Sequence, residues 1–474
     1  MTSDTTESAA VHPPQSLWRE LRDAVRGTDA DYTRIPLRRA VLLLAVPMVL
    51  ELVLESTFAV VDIFFVAKLG PSAVATVGLT ESYLFLLYAV AMGLSMAVTA
   101  VVARRIGEGR REEAAITAVQ AIFVALLVSV LPALIGIFYA QDLLRLMGAD
   151  AWTIEHGYRY TQWMLGGNAV IVLLFVINAI FRGAGDAAIA MRVLWLSNGL
   201  NIVLCPLLIF GFGPIPALGI EGAAIATNIG RGCGVLYQLW MLFRGGKHIR
   251  ISLAQLAWHG AMLWNIVRTS LGGIGQMIVA MTAWIFLMRI LAEIGSAAVA
   301  GATIAIRLMM FTMMPAWGMS NAAATLVGQN LGAGHADRAE AAVWRIGWYN
   351  MAYLVGVSVL FFAFPQQLVG FFSSDAEVIK VGAEWLRILS YALWVYGWWM
   401  VTVQAFNGAG DTITPTKINL VFFWLIQIPL CYLLAIHFGW QELGVFWGVF
   451  VSETSVGLFT LWLFTRGRWK QAKV

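Results

Sequence analysis

The chain has 474 residues, of which 60% are hydrophobic and only 12% charged, and its mean hydropathy is +0.77. A soluble domain carries about 25% charged residues, so this balance excludes an ordinary water-soluble enzyme and belongs to a chain solvated by lipid. A formal charge of +4 is shared with nucleic-acid binders, but here the bases are scattered through short loops, as in the retained loops of membrane proteins, and nucleic acid is excluded as a partner.

Residues 1–37 read as a cytoplasmic tail without the apolar core and small-residue cleavage site of a secretory signal. In it Leu17, Trp18, Leu21 and Val25 share one helical face among Arg19, Arg22 and Arg26. That pattern predicts a short helix on the membrane surface, with an unstructured tail as the alternative. Twelve apolar stretches follow, at 38–66, 73–103, 114–138, 153–180, 188–211, 219–243, 260–290, 296–326, 340–365, 378–405, 415–437 and 441–465. At about 1.5 Å per residue, each can cross a hydrocarbon core of about 30 Å. They divide into a six-helix bundle over 38–243, a cytoplasmic linker over 244–259, a second bundle over 260–465 and a cytoplasmic tail over 466–474.

Orientation follows from the loops. Arg34, Arg38 and Arg39, then Arg104, Arg105, Arg110 and Arg111, then Arg244, Lys247 and Arg250, and finally Arg466, Arg468, Lys470 and Lys473 all fall on one side. Both termini are therefore expected in the cytoplasm, with the chain in the inner membrane. Cys205, Cys233 and Cys431 lie in apolar runs with neither disulfide nor zinc spacing. The histidines are scattered, and no nucleotide-hydrolysis motif occurs. A membrane enzyme, a metal and a cofactor are accordingly not expected.

The two halves repeat one another at a fixed offset of 225 residues (292 − 67). Ala67-Lys68-Leu69-Gly70-Pro71 is answered by Ala292-Glu293-Ile294-Gly295-Ser296, and Ile106-Gly107-Glu108-Gly109 by Leu331-Gly332-Ala333-Gly334. Phe181-Arg182-Gly183-Ala184-Gly185-Asp186 returns as Phe406-Asn407-Gly408-Ala409-Gly410-Asp411. Such a duplication of six-span halves is the architecture of a secondary transporter, with substrate bound between the halves.

Acids inside a membrane are functional candidates by default. Glu51, Glu55 and Asp62 stand four and seven residues apart, on one stripe of the first span. They are expected to handle the coupling ion, the alternative being pairing with buried Arg231, Arg307 or Arg387. Their images in the second half are Gln276, Ala280 and Leu287, so ion chemistry is expected in the first half only. Pro47 invites a bend below the stripe. Asn198 and Asn201 in the fifth span and Thr227 in the sixth are the other polar groups of the first half, with an interhelical hydrogen bond as the alternative for an intramembrane Asn. Asn198, Gln276, Met309, Met313 and Trp317 are the expected cavity residues, thioethers and aromatics suiting a tolerant apolar site.

Along nearly all of 38–465 the chain resembles the multidrug and toxic compound extrusion (MATE) transporters. The likeness rests on Val60-Val61-Asp62 with Leu69-Gly70, Val327-Gly328-Gln329-Asn330-Leu331-Gly332-Ala333-Gly334, the paired Gly-Ala-Gly-Asp turns and Gly222-Ala223-Ala224-Ile225-Ala226-Thr227. The resemblance implies an all-α membrane fold of twelve helices in two pseudo-symmetric bundles. It also implies ion-driven efflux of bulky, often cationic organic compounds. Asp62, Asn201 and Thr227 match the family's cation-site residues, whereas the aspartate expected four residues beyond Asn201 is Cys205. A thiol is a poor ligand for a hard cation, which favours H+ over Na+ as the coupling ion. The runner-up is an exporter of an endogenous metabolite, or a flippase of a lipid-linked precursor.

Overall fold

Lipid offers the backbone no hydrogen-bond partner, so every apolar stretch must close its bonds within itself as a helix. In a computed structural model, which describes residues 16–245 and 248–472, that is what the chain does. Residues 1–15, Lys247 and Lys473, which entered the reading of the tails and loops, lie outside the described residues. The first half comprises span 1 (Leu37–Ala67), span 2 (Pro71–Gly107), span 3 (Arg111–Leu146), span 4 (Thr153–Ala184), span 5 (Ala187–Phe210) and span 6 (Ile220–Arg244). The second comprises span 7 (Gly260–Ile294), span 8 (Ser296–Gly332), span 9 (Ala336–Ala363), span 10 (Ala376–Ser390 and Leu393–Ala409), span 11 (Ile413–His437) and span 12 (Gln441–Thr465).

Ten of these are long and apolar enough to cross a membrane by length and composition alone. The other two are span 6, diluted by Glu221, Arg231, Arg244 and several glycines, and span 10, which divides at Tyr391 and Ala392. Span 1 runs as one continuous helix through Pro47, so the bend expected there is not a break. The short helix expected in the tail forms at Leu17–Arg26. Its Glu20 and Ala24 are buried, while Trp18 is exposed.

Apolar burial gives each half a core of its own, one including Leu84, Val98, Ile177 and Phe181, the other Leu287, Trp385, Leu389 and Phe446. A third core joins the start of span 1 (Ala40, Leu44, Met48) to spans 8, 9, 10 and 12. The tail-side part of span 1 is thus packed into the second half.

Between the halves, glycine permits backbone to meet backbone. Gly93 of span 2 abuts Gly273 and Ile274 of span 7, and Gly318 of span 8 abuts Met48 and Val49 of span 1. Nearer the tails, Gly107 lies on the backbone of Gln329 and Gly332 on that of Arg104. Every one of these contacts is the image of its partner under the repeat. A Cβ at Gly107 would stand 2.0 Å from the Gln329 carbonyl, and one at Gly332 would stand 2.3 Å from that of Arg104.

Hydrogen bonds reinforce the same seam. Gln329 Nε2 donates to the Gly183 carbonyl at 2.9 Å and Thr325 Oγ1 to that of Arg182 at 3.0 Å. Arg104 Nη2 reaches the carbonyls of Ala409 at 3.3 Å and Ala472 at 2.9 Å, so the C-terminal tail also crosses the seam. Arg338 Nη2 donates to the Tyr32 carbonyl at 3.1 Å, while Tyr32 Oη donates to that of Gly185 at 3.0 Å. Among the described residues, the hydrogen bonds joining the halves lie on the side of the tails. The molecule is closed on that side.

Gly107→Val should wedge the seam apart. Overpacking of this kind costs about 1–3 kcal/mol, read as a lower melting temperature in detergent. The buried thiol of Thr325→Cys, in a Cys233→Ala background, should then react with a water-soluble maleimide. Unchanged melting and labelling would show that the seam does not depend on this contact.

Candidate functional site

Glu51, Glu55 and Asp62 follow one stripe of span 1, and each meets a different environment. Glu51 is buried at 3% exposure, and its Oε1 accepts from Arg182 Nη1 at 2.8 Å and Asn178 Nδ2 at 3.2 Å. Gln238 Nε2 in turn donates to Asn178 Oδ1 at 2.7 Å, tying spans 1, 4 and 6 together. Glu55 Oε1 meets Arg231 Nη2 at 3.4 Å. Arg231 is steadied by Tyr88 Oη at 3.2 Å and by the face of Phe58 at 5.7 Å. Of the three arginines weighed as partners, Arg231 is one, whereas Arg307 and Arg387 come within ion-pair distance of neither acid among the described residues. The partner of Glu51, Arg182, was not foreseen, because it sits at a helix end that read only as the approach to a turn.

Asp62 lies farther from the tails, half-buried. Its Oδ1 accepts from Cys205 Sγ at 3.5 Å, so the cysteine at the departure from the family pattern stands directly against the first-span aspartate. One turn along span 5, Asn201 Nδ2 donates to Thr227 Oγ1 at 3.0 Å, and both are buried. Asn198 Nδ2 donates to the Leu54 carbonyl at 3.3 Å. Spans 1 and 5 are thereby stitched at two levels, by Asn198 with Leu54 and by Cys205 with Asp62. Among the described residues, no three His, Cys, Asp or Glu side chains are grouped as metal ligands.

A cavity of ≈ 230 Å³ lies between the halves, at the level of Gly93 and Gly318 and on the far side of the Gly107 and Gly332 contacts from the tails. Most of its lining consists of positions related by the repeat: Leu52 and Met277, Met92 and Trp317, Met96 and Asn321, Thr99 and Ala324, Arg182 and Asn407. The cavity therefore lies on the pseudo-twofold axis. Glu55, Ser95, Phe175, Met314 and Gln404 complete it.

Of the residues expected in the cavity, Trp317 lines it. Asn198, Gln276, Met309 and Met313 lie elsewhere. Asn198 is turned to span 1, Gln276 is buried at 4% exposure, and Met309 and Met313 belong to the core of the second half. Their neighbours Met277 and Met314 face the cavity instead, since one residue turns a helical side chain by about 100°. Sequence reasoning also missed Arg182, Asn321, Gln404 and Asn407. Carrying polar positions across the repeat would have found Arg182 with Asn407, because both precede a Gly-Ala-Gly-Asp turn.

The comparisons with known proteins agree with this geometry. The family model MatE matches the chain twice, over residues 47–207 and 274–433, once per half. The probable multidrug resistance protein NorM of Thermotoga maritima is 28% identical over 442 residues, spanning 92% of this chain and 94% of that protein. The FAD transporter of Shewanella oneidensis is 26% identical over 409 residues, 83% of this chain and 87% of its own. Among solved structures, the outward-facing conformation of a multidrug resistance MATE family transporter of the MOP superfamily superposes with a TM-score of 0.86 at 26% identity, covering 94% of this chain and 99% of that one. A doubled helical fold, an axial cavity and a match repeated in each half together mean that the chain belongs to the MatE family, as a multi-pass membrane transporter and not an enzyme.

Proposed function

We propose that the protein exports bulky organic compounds in exchange for protons, moving them through the cleft between its halves by alternating access. The observation that carries the choice of ion is the pairing of Asp62 with Cys205 at 3.5 Å. A sodium site wants several hard oxygens. Here the nearest side-chain donor to Asp62 is a thiol, and the position four residues beyond Asn201, where a further hard oxygen would stand, is that same Cys205. A carboxylate so placed is suited to take up and release a proton, with Na+ as the alternative ion.

In this reading the basic loops keep the tails in the cytoplasm of an inner-membrane protein. The closed seam then faces the cytoplasm, and the described conformation is outward-open. A proton reaching Asp62 from outside removes its charge and changes how spans 1 and 5 pack, which releases the compound. Span 1 carries that change to the seam, where Val49 meets Gly318. The halves then rock, and the proton leaves to the cytoplasm. Asn201 and Thr227 hold the wall opposite Asp62. Glu51 and Glu55, each paired with an arginine, set the position of span 1 and the charge balance of the cleft. The bundles over 38–243 and 260–465 are the two moving bodies, with 244–259 as their link.

Dye efflux from everted vesicles energised with either a proton or a sodium gradient tests this. The proton gradient should drive transport and the sodium gradient should not; the reverse outcome would overturn proton coupling. Asp62→Asn should bring gradient-driven transport to background while ligand binding in detergent persists. Wild-type transport by Asp62→Asn would remove Asp62 from the coupling step. Cys205→Asp should add sodium dependence, and an unaltered ion preference would sink the missing-ligand argument.

The ion pairs have a different signature. Glu51→Gln leaves the charge of Arg182 without its counterion and should destabilise the protein by about 3–5 kcal/mol. Adding Arg182→Gln should recover much of that loss. A neutral single variant would mean that Glu51 is not a structural partner. The likeness to a transporter named for FAD favours a second reading, export of an endogenous metabolite. Uptake of FAD but not of dyes by the same vesicles would select it.

A further inference from the structure

Two contacts on the tail side mirror one another, and the ion chemistry uses neither. Tyr32 and Ala257 are images under the repeat (257 − 32 = 225). Each lies in the segment that leads into the first span of its half, and the carbonyl of each is held by a side chain of the opposite half. Arg338 Nη2, at the start of span 9, donates to the Tyr32 carbonyl at 3.1 Å and also to that of Ile35. Gln120 Nε2, on span 3, donates to the Ala257 carbonyl at 2.8 Å, while its Oε1 accepts from the His259 backbone at 3.1 Å. Each grip therefore has two points. Spans 3 and 9 are themselves images, so the third helix of each half reaches across to the chain entering the other.

The gripping residues do not correspond under the repeat. The image of Arg338 is Glu113 and that of Gln120 is Arg345. After the shift the two stand seven residues apart (120 − 113), about two turns along the same face. What repeats is the contact and not the residue.

Both segments are shaped for their grip. The Asp31 carbonyl accepts from Arg34 N at 3.0 Å and Ile35 N at 3.1 Å, and Asp31 Oδ1 accepts from Thr33 N at 2.9 Å. That turn brings the Tyr32 and Ile35 carbonyls within reach of one guanidinium. Tyr32 Oη fastens the same turn to the first half, through the Gly185 carbonyl at 3.0 Å. In the linker, Trp258 stands between the two residues bonded to Gln120 and stacks on Phe123, with ring centroids 6.1 Å apart. Because each grip holds backbone atoms, it reads the position of the segment and not its side chains.

We propose that Arg338 and Gln120 are paired latches of the tail side, which hold the described state shut and must both let go before the cleft opens toward the tails. The inference rests on the reading of the protein as an alternating-access transporter. Each latch is a few hydrogen bonds that water can replace, so it biases the closed state without locking it.

The test follows the Thr325→Cys reporter in the Cys233→Ala background, with purified full-length protein in detergent and a water-soluble maleimide. Arg338→Met and Gln120→Met keep side-chain bulk and remove the donors. Each should raise the labelling rate about fivefold, the worth of one net hydrogen bond. The factors should multiply to about 25-fold in the double variant, because the two sites are separate. A merely structural role would lower the melting temperature and leave labelling unchanged, which overturns the proposal. A second measurement spares the latch residues. Arg34→Cys and Asp337→Cys, both exposed, are joined in the Cys233→Ala background by a short reducible bis-maleimide, tying the first-half turn to span 9. Dye efflux from everted vesicles should fall to background and return on reduction. Unhindered efflux with the link in place overturns the latches even if the methionine variants fail to fold, and leaves the transport reading standing. If the unmodified protein moves no dye or FAD under any gradient, the transport reading falls, while the labelling rates still decide whether the two grips hold the tail side closed.

Discussion

The close approach of backbones across the glycine seam is the contact on which the arrangement depends. Two halves in lipid gain little from burying apolar surface against each other, because the lipid tails are equally apolar. What remains is van der Waals contact at short range and hydrogen bonds that would otherwise go unmet. Gly93, Gly107, Gly318 and Gly332 bring the backbones near enough for both. Because these four contacts form two pseudo-symmetric sets, neither half dominates the closure. The seam is made of contacts that can separate without exposing a large apolar core, which suits the opening and closing that the proposed function requires.

Above the seam the charges of the first half are largely consumed in pairs. Removing Glu51 and Arg182 from water is costly, and their 2.8 Å contact and the amide of Asn178 offset that cost. Glu55 and Arg231 do the same one turn on, with Tyr88 and Phe58 supplying the remaining contacts. Asp62 is left with a thiol for a partner. The stripe of three acids therefore performs two jobs: two members fix the helix in place, and the third keeps a carboxylate without a close cation.

Helix number, the repeat and the pseudo-symmetry were legible in the sequence because each leaves a long, redundant pattern. Spans of apolar residues mark themselves over about 20 positions, and a constant offset is reinforced by every matched turn. The lining of the cavity was much less legible. Met313 and Met314 are chemically identical neighbours, and only the rotation of span 8 decides that one enters the core and the other the cleft. That rotation is set by packing against other helices, which a single helix's sequence does not encode. Glu51 was visible as a buried acid, but its partner lay 131 residues away in a segment that read as a turn. The stitch between Asp62 and Cys205 was half visible: the cysteine was marked as a departure, but not as a contact.

Span 1 is where these features meet. Its tail-side part, from Ala40 to Met48, is built into a core shared with the second half, and Val49 lies against Gly318. Its middle anchors to spans 4 and 6 through Glu51 and Glu55, and its far part touches span 5 through Asp62. The helix is continuous through Pro47, and the 13 residues from Val49 to Asp62 span about 20 Å at the usual helical rise. A rigid element of that length couples its two ends without needing a chain of side-chain relays. On the proposed reading, a change of charge at Asp62 displaces one end of a lever whose other end is part of the seam. The duplication supplies the matching lever in span 7, where Leu287 replaces the acid while Gly273 and Ile274 keep the seam contact. One helix of the pair then senses the ion, and its image answers only through packing, so an asymmetric input can drive a symmetric motion.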